Sequence, residues 1–139
     1  METNIYLLKE PGDNIAELFS IIGQPARIQI LLILGMHEAC VCHLEAVMGI
    51  RQASISQHLM TLRKAGLVAT HREGRHIYYH LVNPQILQVV DQCACFFGYD
   101  LKEVQEKSSH TIQKCNCPQC NPGIDQKLAC RKSIKAKSM

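Results

Sequence analysis

Five glycines, at positions 23, 35, 49, 66 and 74, cut the stretch from Asp13 to Leu81 into pieces too short for anything but small helices and a hairpin. The piece before Gly23 carries Ile15, Leu18, Phe19 and Ile22 at i, i+3, i+4 and i+7, one apolar face of a helix that Asp13 is placed to cap. Pro25 suits the first turn of a second helix. Its run from Ile28 to Leu34 is apolar nearly all round, which predicts a centrally buried helix ended by Gly35. Leu44, Val47 and Met48 mark a third, short helix closed by Gly49. After a tight turn over Ile50 to Gln52, Ala53 or Ser54 opens a fourth helix running to about Ala65. Ile55, Leu59 and Leu62 face the core there, and Ser54, Gln57, His58 and Thr61 lie on the opposite face.

Gly66 ends that helix, and the runs Leu67 to Arg72 and His76 to Leu81 flank the turn Glu73-Gly74-Arg75 as a β-hairpin. Asn83 and Pro84 then start a last helix with an apolar stripe of Ile86, Val90, Cys93, Phe97, Leu101 and Val104. The expected fold is mostly α with a small β-hairpin (α+β), in the order α-α-α-α-β-β-α. A short helix, a glycine turn, a helix with a polar outer face and a basic hairpin are the parts of a winged helix-turn-helix. With 5% aromatic residues and no Trp the core is small and aliphatic, and a long amphipathic helix after a finished domain needs a partner surface. A homodimer is therefore expected.

Charge is distributed unevenly. Residues 1–50 hold two cations, Lys9 and Arg27, among six carboxylates; residues 51–81 hold Arg51, Arg63, Lys64, Arg72 and Arg75 against Glu73 alone. Such a basic block beside a polar helix face fits double-stranded DNA. Ser54, Gln57 and His58 are placed for base edges, Arg51, Arg63, Arg72 and Arg75 for phosphates, and Gln52 and Ser56 lie alongside. The longest apolar stretch, Ile30 to Met36, is far short of the roughly 20 residues that span a membrane, and no secretory signal is visible at the start. A cytoplasmic protein is expected, and in that reducing compartment eight cysteines point to metal or redox chemistry rather than to disulfides.

Two of those cysteines, Cys40 and Cys42, lie in E-A-C-V-C-H-L (Glu38 to Leu44), just ahead of the third helix. Residues i and i+2 point about 200° apart on a helix but to the same side of an extended segment. Both thiolates can therefore grip one ion only where the start of the helix is unwound. Three more, Cys115, Cys117 and Cys120, form C-N-C-P-Q-C, dense enough to bind a soft ion alone or to reach the first pair. Cys93 and Cys95 are the other possible sulfurs, Cys93 on the apolar stripe and Cys95 off it. The periodicity disappears near Ser108, which divides the chain into a winged helix-turn-helix DNA-binding and dimerisation domain (1–107) and a flexible Cys-rich tail (108–139).

The order of helices, E-A-C-V-C-H-L, S-I-S-Q-H-L-M-T-L-R-K-A-G-L-V and R-E-G-R-H-I-Y-Y-H-L together resemble the ArsR/SmtB family of metal(loid)-responsive winged-helix repressors over roughly residues 13 to 105. The resemblance implies a homodimer that binds palindromic operator DNA without effector and releases it when a metal or a thiol-reactive signal arrives. Glu38, Cys40, Cys42 and Leu44 align with that family's thiolate box, found in its arsenic, cadmium and lead sensors. His43 stands where the box usually has Asp, Glu45 stands where some arsenic sensors carry a third Cys, and no Cys precedes Cys40. The third sulfur has to come from Cys93, Cys95 or the tail. As(III) is the expected inducer, with Cd(II), Hg(II), Pb(II) and Zn(II) as alternatives, because soft ions select sulfur and differ in how many thiolates they take.

A sensor of oxidation or persulfidation on the same fold is the nearest rival, pairing Cys40 or Cys42 with Cys93 or Cys95. An enzyme is disfavoured: the one C-x-x-C, Cys117 to Cys120, does not adjoin a βαβ pattern, and no phosphate-binding loop is present. A metal carrier built on the tail is the remaining alternative and predicts no specific DNA affinity.

Overall fold

The computed structural model describes residues 10–103 together with Gln105 and Cys115. Helix α1 (Pro11–Ile22) starts two residues before the expected cap: Pro11 occupies the first turn, the Glu10 carbonyl accepts from Asp13 N at 2.9 Å, and Asp13 lies inside the helix. Helix α2 (Pro25–Met36) leaves α1 at 90° and buries five consecutive residues, Ile30 to Leu34. It ends one residue past Gly35, at Met36. A Cβ on Gly35 would lie 2.6 Å from Leu87 Cδ1, so this glycine lets the last helix approach closely.

Helix α3 (Val41–Met48) is capped by Cys40 and closed by Gly49, and α4 (Gln52–Lys64) follows after a three-residue turn. Ile55, Leu59 and Leu62 of α4 are buried as their spacing predicts. Strands β1 (Val68–Glu73) and β2 (His76–Leu81) pair antiparallel in the register Val68–Leu81 to Glu73–His76. Because side chains alternate, Val68, Ile77 and Tyr79 enter the main core, while His71, Glu73, His76, Tyr78 and His80 occupy the other face. Ala39 adds a short third rung, giving and receiving backbone hydrogen bonds with Tyr79 at 3.1 and 2.8 Å.

Helix α5 (Ile86–Phe96) is shorter than its apolar stripe suggests. Gly98 takes a left-handed φ of 78°, which lets Tyr99 N close back on the Ala94 carbonyl at 2.9 Å and ends the helix. Helix resumes at Leu101, where Asp100 Oδ1 accepts from Lys102 N at 2.9 Å, and Gln105 Nε2 donates to the Leu32 carbonyl at 3.2 Å. Val104, the last member of the stripe, lies outside the described residues. The main core joins α2, α3, α4, the inner hairpin face and Ile86. Order and class agree with the winged helix expected from the pattern.

Candidate functional site

Cys40 is fully buried where extended backbone passes into α3, and its Sγ accepts from His43 N at 3.4 Å, an arrangement that stabilises negative charge on sulfur. Cys42 lies within the first turn of α3 and is half-buried. The two cysteines thus straddle the helix start, the place where their spacing requires irregular backbone. Of the tail cysteines, Cys115 is buried with its Sγ 4.0 Å from Cys40 Sγ. Tyr78 of β2 packs with both, and Cys42 and Ala46 flank them. Two thiolates on one tetrahedral ion at about 2.3 Å each stand about 3.8 Å apart. The Cys40–Cys115 separation needs a change of only a few tenths of an ångström to hold a shared soft ion, so this pair of donors fits such a group.

Among the described cysteines, Cys93 and Cys95 do not join this cluster: both are exposed on α5. Cys93 lines an apolar groove of about 570 Å³ with Phe19, Val89, Phe96 and Phe97. Cys117 and Cys120 lie outside the described residues.

The second half of the site is α4 and the hairpin. Gln57 is exposed and Ser54, His58 and Thr61 are half-buried, so the polar face has the expected composition. Thr61 Oγ1 donates to the Gln57 carbonyl at 3.2 Å. Arg51, Arg63, Lys64, Arg72 and Arg75 are exposed, Gln52 is half-buried, and Arg72 Nε donates to the Gly74 carbonyl at 2.8 Å, which tightens the hairpin tip. Ser56, expected alongside the DNA-facing residues, is buried beside Ile55, and its hydroxyl has no hydrogen-bond partner among the described residues.

Arg27 was not singled out by the sequence pattern, although it is the only charged residue of α2. Its Nε donates to His58 Nδ1 at 3.2 Å and its Nη1 to the Ile21 carbonyl at 2.8 Å. With Nδ1 accepting, the neutral ring carries its proton on Nε2 and keeps that N–H as a donor. Burial, and next the Arg27 charge, hold the His58 pKa below its ordinary value.

These parts are mechanically connected. Cys40 caps α3, Leu44 of α3 shares a core with Ile55 and Leu59 of α4, and Ala39 is hydrogen-bonded to Tyr79 of the hairpin. Among the described residues no single helix is long and apolar enough to cross a membrane.

Residues 24–70 match the model of the arsR family of bacterial regulatory proteins. A SmtB homolog described as a transcriptional repressor, from Synechocystis, is 32% identical over 85 residues, which are 61% of this chain and 64% of that one. The arsenic resistance transcriptional regulator ArsR1 of Pseudomonas putida is 33% identical over 88 residues, covering 58% of this chain and 68% of the relative. Among solved structures, NolR from Sinorhizobium fredii superposes with a TM-score of 0.58 at 28% identity, covering 66% of this chain and 97% of NolR. These relatives are regulators rather than enzymes. With its helix-turn-helix, its two-stranded hairpin and that agreement along most of the folded part, the chain belongs to the ArsR family of winged-helix bacterial regulators.

Proposed function

We propose that this protein is a cytoplasmic transcriptional repressor that binds double-stranded operator DNA as a metal-free homodimer and lets go when Cys40, Cys42 and Cys115 take up a soft ion, As(III) in first place. The observation that carries the reading is the burial of Cys115 against Cys40, 75 residues earlier, because it supplies the third sulfur that the box lacks. Three thiolates suit the pyramidal preference of As(III), and Cd(II), Pb(II), Zn(II) or Hg(II) would draw on more or fewer of the same sulfurs. The name of the arsenic resistance regulator among the relatives supports the same choice.

In this reading the winged domain spans residues 1–107 and the Cys-rich tail 108–139 serves as the clasp of the sensor. Gln57, His58 and Ser54 reach bases, Gln52 lies beside them, and Arg51, Arg63, Arg72 and Arg75 meet phosphates. The dimer forms through α1 and α5, where Phe19, Phe96 and the capping Phe97 line one exposed apolar groove and Ile15 of α1 is exposed as well. Two recognition helices must enter successive major grooves about 34 Å apart. Drawing Cys42 toward Cys40 and Cys115 distorts the first turn of α3, and through Leu44 the tilt of α4. A coupling of about 1 to 3 kcal/mol, or 5- to 150-fold in affinity, is typical of such switches.

The test is fluorescence anisotropy of the reduced, metal-free protein on its own promoter DNA, titrated in parallel with As(III), Cd(II), Pb(II), Zn(II), Hg(II) and a persulfide donor. Release by As(III) that is lost in Cys42→Ser and in Cys115→Ser supports the reading. Release by another ion alone reassigns the inducer, release by persulfide alone moves the chemistry to redox sensing, and no specific binding removes the repressor assignment.

A further inference from the structure

The outer face of the hairpin carries a second constellation that the thiolate switch does not use. His71 of β1 stands between two carboxylates: its Nδ1 is 3.2 Å from Glu38 Oε2 and its Nε2 is 3.3 Å from Glu73 Oε1. One donor atom from each residue lies within 4.8 Å of the others. Both contacts are hydrogen bonds only when the ring bears two protons. In the neutral ring one nitrogen lone pair faces a carboxylate oxygen, which is repulsive unless a cation lies between them. Independently, the same face buries His76, the cross-strand partner of Glu73, with Nδ1 lacking a hydrogen-bond partner among the described residues. His80, whose ring centroid is 5.8 Å from that of His71, likewise has no partner for Nδ1 among the described residues. A ring held between two carboxylates, on a strand face that carries further ring nitrogens without partners, is what a nitrogen and oxygen metal site looks like before its ion arrives.

We infer that Glu38, His71 and Glu73 form a divalent-cation site of the zinc or cobalt class, to which His71 gives one of its two ring nitrogens. One imidazole and two carboxylates are borderline-to-hard donors, so this site selects a different class of ion from the three sulfurs of Cys40, Cys42 and Cys115. Its position gives it a consequence. Glu38 lies two residues before Cys40, and the other donors belong to the wing, so an ion here ties the start of the thiolate box to β1. The inference stands on this geometry alone and does not depend on which ion, if any, the sulfurs bind.

The experiment is isothermal titration of Co(II) into the reduced full-length chain after its thiols are loaded with Hg(II), which cobalt does not displace, with the visible spectrum recorded in parallel. One equivalent per chain is expected, with ligand-field absorption and no sulfur-to-cobalt charge transfer. The exposed Glu73→Gln and His71→Gln, each checked for folding by circular dichroism, should weaken uptake at least tenfold, and Cys40→Ser should leave it unchanged. Failure to take up Co(II), uptake indifferent to both substitutions, or charge-transfer bands accompanying all uptake would each overturn the site. So would nitrogen NMR showing His71 doubly protonated and undisturbed by Zn(II), which would mark a simple ion pair.

Discussion

At the scale of single residues, side chains far apart in sequence become one chemical unit. Cys40 and Cys115 make the sulfur pair, and the expected outcome of Cys115→Ser is loss of at least tenfold in As(III) affinity with little change in affinity for DNA, measured by competition titration and anisotropy. An unchanged As(III) affinity would return the search for a third sulfur to Cys93 and Cys95. His58 gives a pH dependence whose sign follows from its lowered pKa. As pH falls through 6.5 the unfolded chain gains a proton on His58 that the folded chain resists. The unfolded state then binds more protons, so this contribution lowers stability progressively until the pH passes below the folded pKa. Thermal melts between pH 7.5 and pH 5.5 should therefore show a steeper loss for the native chain than for His58→Gln; parallel curves would show that the group contributes nothing. In Arg27→Met the ring should titrate closer to 6.5 but not reach it, because burial is the larger cause and remains. The cysteines stood out in the sequence as possible sulfur donors, whereas the Arg27–His58 pair did not, because no local spacing connects residues 31 positions apart.

Elements followed from local patterns wherever one periodicity dominated. Helix α4 is the clearest case: Ile55, Leu59 and Leu62 at i, i+4 and i+7 predicted both the helix and its inner face, and all three are buried. Truncating one of them, as in Leu59→Ala, is expected to cost about 2 to 5 kcal/mol in urea unfolding, since the site leaves a cavity at the junction of α2, α3 and α4. Ends were harder to read. Gly35 has the appearance of a stop, and α2 ends one residue beyond it at Met36; its missing side chain leaves room for Leu87 of α5 rather than serving a turn. A double-mutant cycle separates the two roles. Gly35→Ala gains up to about 1 kcal/mol of helix propensity, offset by the collision with Leu87. In a Leu87→Ala background the gain should be realised, so the cycle is expected to be non-additive; simple additivity would refute the close-approach account. Apolar spacing also ran α5 on to Val104, and the left-handed Gly98 ended it at Phe96.

For the molecule as a whole, the apolar surface left on α1 and α5 is the main unfinished feature. Phe96 is 84% exposed and Phe97 68% exposed, beside a groove that also includes Phe19. Phe96→Asp is expected to shift sedimentation from dimer to monomer and to weaken operator binding more than tenfold, because a monomer reaches only one half-site. A variant that remains dimeric would place the interface elsewhere. Glycine punctuation, apolar periodicity and the charge block of residues 51–81 were enough to determine the element order, the winged helix and its basic face, because each is set by interactions within a few residues. Only the tertiary structure decided that Cys115 rather than Cys93 or Cys95 meets Cys40, that Ser56 is buried, and that Glu38, His71 and Glu73 converge. Those outcomes depend on hairpin register and on contacts between distant segments, and a one-dimensional pattern specifies which side chains are available but not which of them meet.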